Sequence, residues 1–141
     1  MSVDQQDPYT GKQENVVSAR QTSILVMLGI AFWFAAAMLV RFIAPMGALD
    51  GNARILTYAL VIPGTASMVI VIRKLAGLRR IQTGYGVMIV TAIALLFDGI
   101  AHAWFPMLYG PDPALHVAGA AIIFWGAGVG LVLGLLMSRP T

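Results

Sequence analysis

The sequence predicts an all-α integral membrane protein, a four-helix bundle with its N- and C-termini in the cytoplasm. Hydrophobic residues make up 59% of the 141-residue chain, and charged residues make up only 11%. A soluble domain carries roughly 25% charged residues, so its surface would need far more charge. The apolar residues also form four continuous runs, each long enough to cross about 30 Å of hydrocarbon as a helix. Transmembrane barrel strands are disfavoured because the runs lack period-two alternation.

The predicted spans follow these four runs and end near proline or glycine, as helices commonly do. They cover residues 23–44, 54–72, 84–105 and 114–137. The second span contains Pro63 and Gly64, which predict a kink because proline removes one helical hydrogen bond. The polar residues 1–20 are expected to form a disordered cytoplasmic tail. Residues 21–141 then form the membrane domain.

Basic residues indicate the sides of the membrane, because cytoplasmic loops carry an excess of Lys and Arg. Seven of the nine flank the same side of the predicted spans: Lys12, Arg20, Arg73, Lys74, Arg79, Arg80 and Arg139. That side is expected to be cytoplasmic. The four cations between the second and third spans should bind anionic lipid headgroups, each gaining about 1 kcal/mol. A docking surface for an acidic partner is the alternative.

Two absences narrow the function. The chain has no cysteine, which excludes disulfides, thiol redox chemistry and thiolate metal sites. The basic residues lack interleaved aromatics, so no nucleic-acid surface is expected.

Trp33 is expected to pack within the bundle, and Tyr109 is expected to anchor the chain at the membrane interface.

The fourth span carries a series of small residues that predicts close helix packing. Gly126, Gly130 and Gly134 recur every four residues, and Gly119 lies seven residues earlier. Such a series lets another backbone approach closely. The approaching helix belongs either to the same chain or to a dimer or partner subunit.

The candidate polar site centres on Asp98 and His102, which share one face of the third span because they are spaced i,i+4. An uncompensated acidic group at membrane depth costs about 2.5–3.5 kcal/mol to insert. Arg41 lies near the end of the first span on the same side of the membrane, so we predict an Arg41–Asp98 ion pair. His116 begins the fourth span on that side and completes the candidate site.

Four interpretations of this site stay open. The ion pair fixes helix order through charge-assisted hydrogen bonds. Alternatively, Asp98, His102 and His116 ligate a divalent metal, or His102 and His116 are axial ligands of a haem or chlorin. In the fourth interpretation Asp98 and His102 relay protons or bind a cation for transport. The sequence favours the first, and no cofactor is predicted.

Short motifs support a family resemblance. They are Gly29-x-x-Phe32-Trp33 followed by Arg41, Phe97-Asp98-Gly99, Phe105-Pro106 and Trp125-Gly126. On these residues the chain resembles an uncharacterised family of small four-span bacterial inner-membrane proteins. The resemblance implies a location in the bacterial inner (cytoplasmic) membrane and a shared pattern that includes Trp33, Arg41 and Asp98. It implies no reaction.

We expect a non-catalytic protein, because no hydrolase constellation is present. The expected role is an accessory or interaction subunit of a larger bacterial membrane complex, respiratory or photosynthetic, with a partner subunit or a second copy beside it. This expectation rests on the small-residue series and on a chain that is mostly helix surface. The alternative is a small dimeric cation- or proton-coupled transporter that uses Asp98 and His102, although its spans contain few polar residues.

Overall fold

The computed structural model describes residues 16–139, which contain four long helices and no β-strand. The helices are α1 (Ala19–Ile43), α2 (Gly51–Leu75), α3 (Thr83–Trp104) and α4 (Pro113–Ser138). Single turns of 3₁₀ helix lie in the connections at Ala44–Met46, Arg80–Gln82 and Pro106–Leu108. Each long helix is apolar and long enough to cross a membrane. The prediction of an all-α chain with four helices apolar enough to span a membrane is thereby confirmed, while the membrane location itself and the cytoplasmic placement of the termini stay predictions.

The first helix begins at Ala19 rather than at residue 23. Ser18 and Gln21 form a capping box there, in which Gln21 N donates to Ser18 Oγ at 3.2 Å and Ser18 N donates to Gln21 Oε1 at 2.9 Å. The box satisfies two backbone donors that a helix otherwise leaves unpaired. Residues 16–20, placed in the predicted tail, therefore belong to the folded part, and the rest of that tail lies outside the described residues.

The second helix continues through Pro63 as one element. Ser67 Oγ donates to the carbonyl of Pro63 at 3.0 Å, the usual i−4 contact of a helical serine. The carbonyl that proline leaves without its helical donor is that of Ala59, four residues earlier. The predicted kink at Pro63 and Gly64 stays a prediction.

The helices pack in a ring that is open on one side. Helix α1 packs mainly on α3, α3 on α4, and α4 on α2, whereas α1 and α2 barely touch. The ring has two ends. We call the end with connections 44–50 and 105–112 the loop end, and the end with residues 16–18, connection 76–82 and Arg139 the terminal end.

Glycines of α4 allow it to approach all three of its neighbours. The residues nearest to Gly119, Gly126, Gly130 and Gly134 are, in that order, Val40 of α1, Val61 and Thr65 of α2, and Val87 of α3. A Cβ added at Gly119 would lie 2.8 Å from Val40, and one at Gly134 would lie 2.9 Å from Val87. The small-residue series therefore contributes to packing inside the chain, as one of the two open alternatives expected.

Side-chain amides close the terminal end. Gln82 is buried; its Nε2 donates to the carbonyl of Val16 at 2.9 Å and its Oε1 accepts from Arg79 N at 3.0 Å. Gln21 Nε2 donates to the carbonyl of Gly77 at 3.0 Å. These bonds tie the segment before α1 to the connection between α2 and α3.

Candidate functional site

The buried carboxylate of Asp98 has a neutral partner at the loop end. It accepts a hydrogen bond from the hydroxyl of Tyr109, which is itself fully buried. The Tyr109 hydroxyl also accepts a hydrogen bond from Trp33 Nε1 at 3.4 Å. Burying a carboxylate or a phenol without a partner is costly. The contact therefore joins α1, α3 and the connection between α3 and α4 into one polar cluster.

Tyr109 donates this bond because its proton is held firmly. Burial, with the hydrogen bond to Asp98 as a second cause, raises the pKa of Tyr109 above its ordinary value of 10.0. The phenol is therefore protonated at neutral pH. We call Trp33, Asp98, His102 and Tyr109 the Tyr109 cluster.

The structure does not contain the predicted Arg41–Asp98 ion pair. Arg41 Nη1 instead donates to the carbonyls of Met107 and Leu108, at 2.6 and 3.4 Å. No basic residue in the described part of the chain forms an ion pair with Asp98. Arg41 lies two residues from the end of α1 and Asp98 six residues from the end of α3, about 6 Å apart along the axis, and the guanidinium bonds to the carbonyls that lie nearer to it. The guanidinium stays at the polar end of the bundle.

Arg41 and His116 hold the connection that carries Tyr109. His116 Nε2 lies 2.6 Å from the carbonyl of Gly110, so this nitrogen must carry the proton and donate it. Arg41 binds the carbonyls just before Tyr109, and His116 binds the one just after it. Gly110 has a φ of +146°, a conformation that favours glycine. Both predicted site residues therefore act on Asp98 indirectly, by positioning Tyr109.

His102 meets Tyr109 by ring stacking. The two ring centroids are 3.8 Å apart and the planes differ by 6°. His102 Nε2 is buried and has no hydrogen-bond partner, and it is the sole such side-chain atom in the described chain. Leaving a buried polar group unpaired costs about 1–3 kcal/mol.

The metal and pigment interpretations find little support in this geometry. Within residues 16–139, no group of three His, Asp or Glu residues is placed to hold a metal ion. A haem or chlorin bound through Nε2 of His116 would displace its bond to Gly110.

A cavity of about 350 Å³ extends from Asp98 into the middle of the bundle and is lined by all four helices. Asp98 is its only charged lining residue among those described. Its other polar side chains are few, namely Trp33, Thr57, Thr65 and Thr91. The three threonines are three of the five Ser and Thr residues in the predicted spans. The cavity thus gathers the scarce polar groups around an otherwise apolar space.

A second cavity of about 150 Å³ reaches Asp98 from the other direction, between α3 and α4. His102 lines this second cavity but not the first. Leu95, Asp98 and Ile123 line both cavities and form the partition between them. Asp98 is therefore the one titratable group in the described chain that faces both spaces.

The larger cavity opens towards the side of the bundle. Its exposed lining residues are Leu39 of α1 and Leu60 and Gly64 of α2. The lining residues of α3 and α4 are buried or partly buried. The mouth consequently lies between α1 and α2, the two neighbours in the ring that barely touch.

Sequence reasoning identified Asp98 and His102 but missed the role of Tyr109. Tyr109 was expected at the membrane interface, whereas it is fully buried. A tyrosine beside a glycine in a short connection gives no sign of burial. The available signal was chemical: a buried carboxylate without a basic neighbour at its own depth requires a neutral donor.

Comparison of the chain with protein-family models, with curated proteins and with solved structures found no match. The resemblance to small four-span bacterial inner-membrane proteins therefore stays an expectation based on short motifs.

Proposed function

We propose that the protein is a small cation- or proton-coupled membrane transporter in which Asp98 is the coupling group. The observation that supports this most is the position of Asp98. Its carboxylate has no basic partner in the described chain and faces two cavities inside a bundle of apolar helices.

A neutral donor such as Tyr109 does not cancel the charge of a carboxylate in an apolar cavity, and such a charge is costly unless the group takes up a proton or a cation. Because one carboxylate gains little from holding both, binding of one releases the other. This competition is the simplest coupling device that a single acidic residue provides.

His102 provides a second group that can accept the proton. It lies on the same face of α3 as Asp98 and lines the smaller cavity, with a buried nitrogen that lacks a partner. Histidine exchanges protons near neutral pH more readily than any other side chain. A proton leaving Asp98 towards the smaller cavity therefore has an acceptor one helical turn away.

Flux in proteoliposomes tests this proposal. The full-length protein is reconstituted with a pH-sensitive dye inside the vesicles, and a cation gradient is imposed. Asp98→Asn should reduce cation-driven proton movement about tenfold or more, because the amide neither binds a proton nor attracts a cation. Asp112→Asn is the matched control, since Asp112 caps the amide of Ala114 at 2.9 Å and asparagine caps a helix equally well. Wild-type flux in a folded Asp98→Asn protein would contradict the proposal.

The accessory role is a second proposal, favoured by the exposure of α2. Only 11% of the most apolar 18-residue stretch of α2 is buried, compared with 28% of the corresponding stretch in the span that contains α3. A partner subunit of a respiratory or photosynthetic assembly would cover that helix. Since the glycine series of α4 packs inside the chain, it no longer supports this role. Purification from native bacterial membranes in minimal detergent tests it, and a chain that always migrates alone would count against it.

A further inference from the structure

The chemistry of the larger cavity restricts what Asp98 binds. Its volume of about 350 Å³ falls in the range of small-molecule sites, about 300–1,000 Å³. Hard inorganic cations need several oxygen ligands around them. Thr91 lies seven residues from Asp98 on α3, about 10 Å along the axis, and the Thr57 hydroxyl, which donates to the carbonyl of Ala48 at 2.7 Å, would add one oxygen at most. An inorganic ion would therefore find too few oxygens.

An organic molecule with one positive charge fits the same lining better. Its apolar body would leave water and contact the aliphatic and aromatic walls, which is favourable because no polar group loses its hydration there. Its charge would be attracted to Asp98, the only charged lining residue described. No basic side chain of the described lining opposes it.

The mouth indicates the route of entry. Leu39, Leu60 and Gly64 place it between α1 and α2, within the apolar length of both helices. In a membrane this side of the bundle faces lipid rather than water. A molecule that partitions into the bilayer reaches such a mouth directly.

From the cavity, its single carboxylate and its lateral mouth, we infer that the protein binds a lipophilic organic cation that enters from the bilayer between α1 and α2 and places its charge at Asp98. The inference rests on the transport function proposed above and names the class of molecule that competes with the proton.

Two probes of equal size and opposite charge test the charge requirement. Tetraphenylphosphonium and tetraphenylborate are each titrated into the full-length protein in lipid nanodiscs. The cation should bind saturably and about tenfold or more tightly than the anion, because the cavity holds one negative group. Asp98→Asn should remove this preference, and raising the pH should strengthen cation binding by removing the competing proton. Equal binding of both probes, or an unchanged Asp98→Asn protein, would overturn the inference.

A pair of glycine substitutions tests the mouth. Gly64 and Gly128 both have open space around an added Cβ, with no atom within 4 Å. Gly64 lines the mouth, whereas Gly128 lies on the exposed surface of α4 away from the cavity. Gly64→Phe should slow association of tetraphenylphosphonium about tenfold by filling the opening, while Gly128→Phe should match the wild type. Identical association rates for the two variants would place the entry elsewhere and overturn the lateral route.

The two experiments distinguish failure of the binding inference from failure of the transport proposal. If tetraphenylphosphonium binds at Asp98 but no proton movement accompanies it in proteoliposomes, the binding inference stands and the transport proposal fails. If Asp98-dependent proton flux occurs without any preference for the cation, the transport proposal stands and this inference is overturned.

Discussion

Both ends of the bundle are closed by side chains that donate hydrogen bonds to backbone carbonyls. The two ends differ in the buried polar groups that lie behind these bonds. At the terminal end, Gln21 and Gln82 bind the carbonyls of Gly77 and Val16. At the loop end, Arg41 and His116 bind carbonyls on either side of Tyr109.

The residues behind these bonds make the difference. Behind the loop end, Asp98 has no basic partner and His102 Nε2 has no partner at all in the described chain. The terminal end has no such buried group among residues 16–139. Under the proposed transport function, the terminal end therefore contributes to stability and the loop end contains the coupling group.

The largest expected effect on stability comes from Tyr109→Phe. Removing the hydroxyl leaves the buried Asp98 without its donor and Trp33 without its acceptor, so the unfolding free energy should fall by about 1–3 kcal/mol. Tyr58→Phe is the control, because Tyr58 packs its ring on Trp125 at 5.9 Å and its hydroxyl forms no hydrogen bond in the described chain. Detergent-induced unfolding followed by circular dichroism measures both. Equal costs for the two variants would show that the Tyr109 hydroxyl contributes no more to stability than that of the partly buried Tyr58.

Gln82→Met tests the terminal end with a side chain of similar volume. It removes the hydrogen bonds that Gln82 makes to the Val16 carbonyl and the Arg79 amide, and the expected loss is about 1 kcal/mol. Cation binding and proton flux should stay at wild-type levels. A loss of flux at wild-type stability would show that the terminal end also takes part in the chemistry.

Arg41→Met and Arg54→Met form a matched pair at the loop end. Arg54 Nε donates to the carbonyl of Leu49 at 2.8 Å, in the connection that does not carry Tyr109. Each substitution should cost about 1 kcal/mol or less, because both side chains are exposed. Only Arg41→Met should also weaken binding of tetraphenylphosphonium, since Arg41 positions Tyr109 and through it Asp98. Equal effects on binding would contradict this positioning role.

The smallest effect appears at high pH. Since folding raises the pKa of Tyr109, the folded state holds this proton longer than the unfolded state does. The contribution to stability is therefore complete below pH 10 and is lost as the pH rises from there towards the folded pKa. An ultraviolet titration of tyrosinate should show one late step in the wild type that is absent from Tyr109→Phe. Four tyrosines that titrate together would contradict the buried position of Tyr109.

Sequence reasoning succeeded where the cause is local. The four helices follow from continuous apolar runs, and their ends differ from the predicted spans by a few residues. The largest shift, at the start of α1, comes from the capping box of Ser18 and Gln21. It was missed because these polar residues were assigned to the tail by composition.

Sequence reasoning failed where a contact depends on how neighbouring helices are rotated and how deep their residues lie. Arg41 and Asp98 were paired because they lie on the same side of the membrane and carry opposite charges. The actual donor, Tyr109, comes from a connection that folds back into the bundle. No local pattern reveals this return, because it depends on Arg41 and His116 holding the backbone around it.

By itself the sequence determined that the chain is helical, that four helices are apolar enough to span a membrane, and that Asp98 is a buried acid in need of compensation. The reason is local: without water, a backbone in lipid satisfies its own hydrogen bonds, and only a helix does so within one segment. Tertiary structure alone decided that the compensation comes from Tyr109, that α4 uses its glycines inside the chain, and that a cavity opens between α1 and α2. Those outcomes depend on which helix faces meet, and contacts between faces are made by residues far apart in the chain.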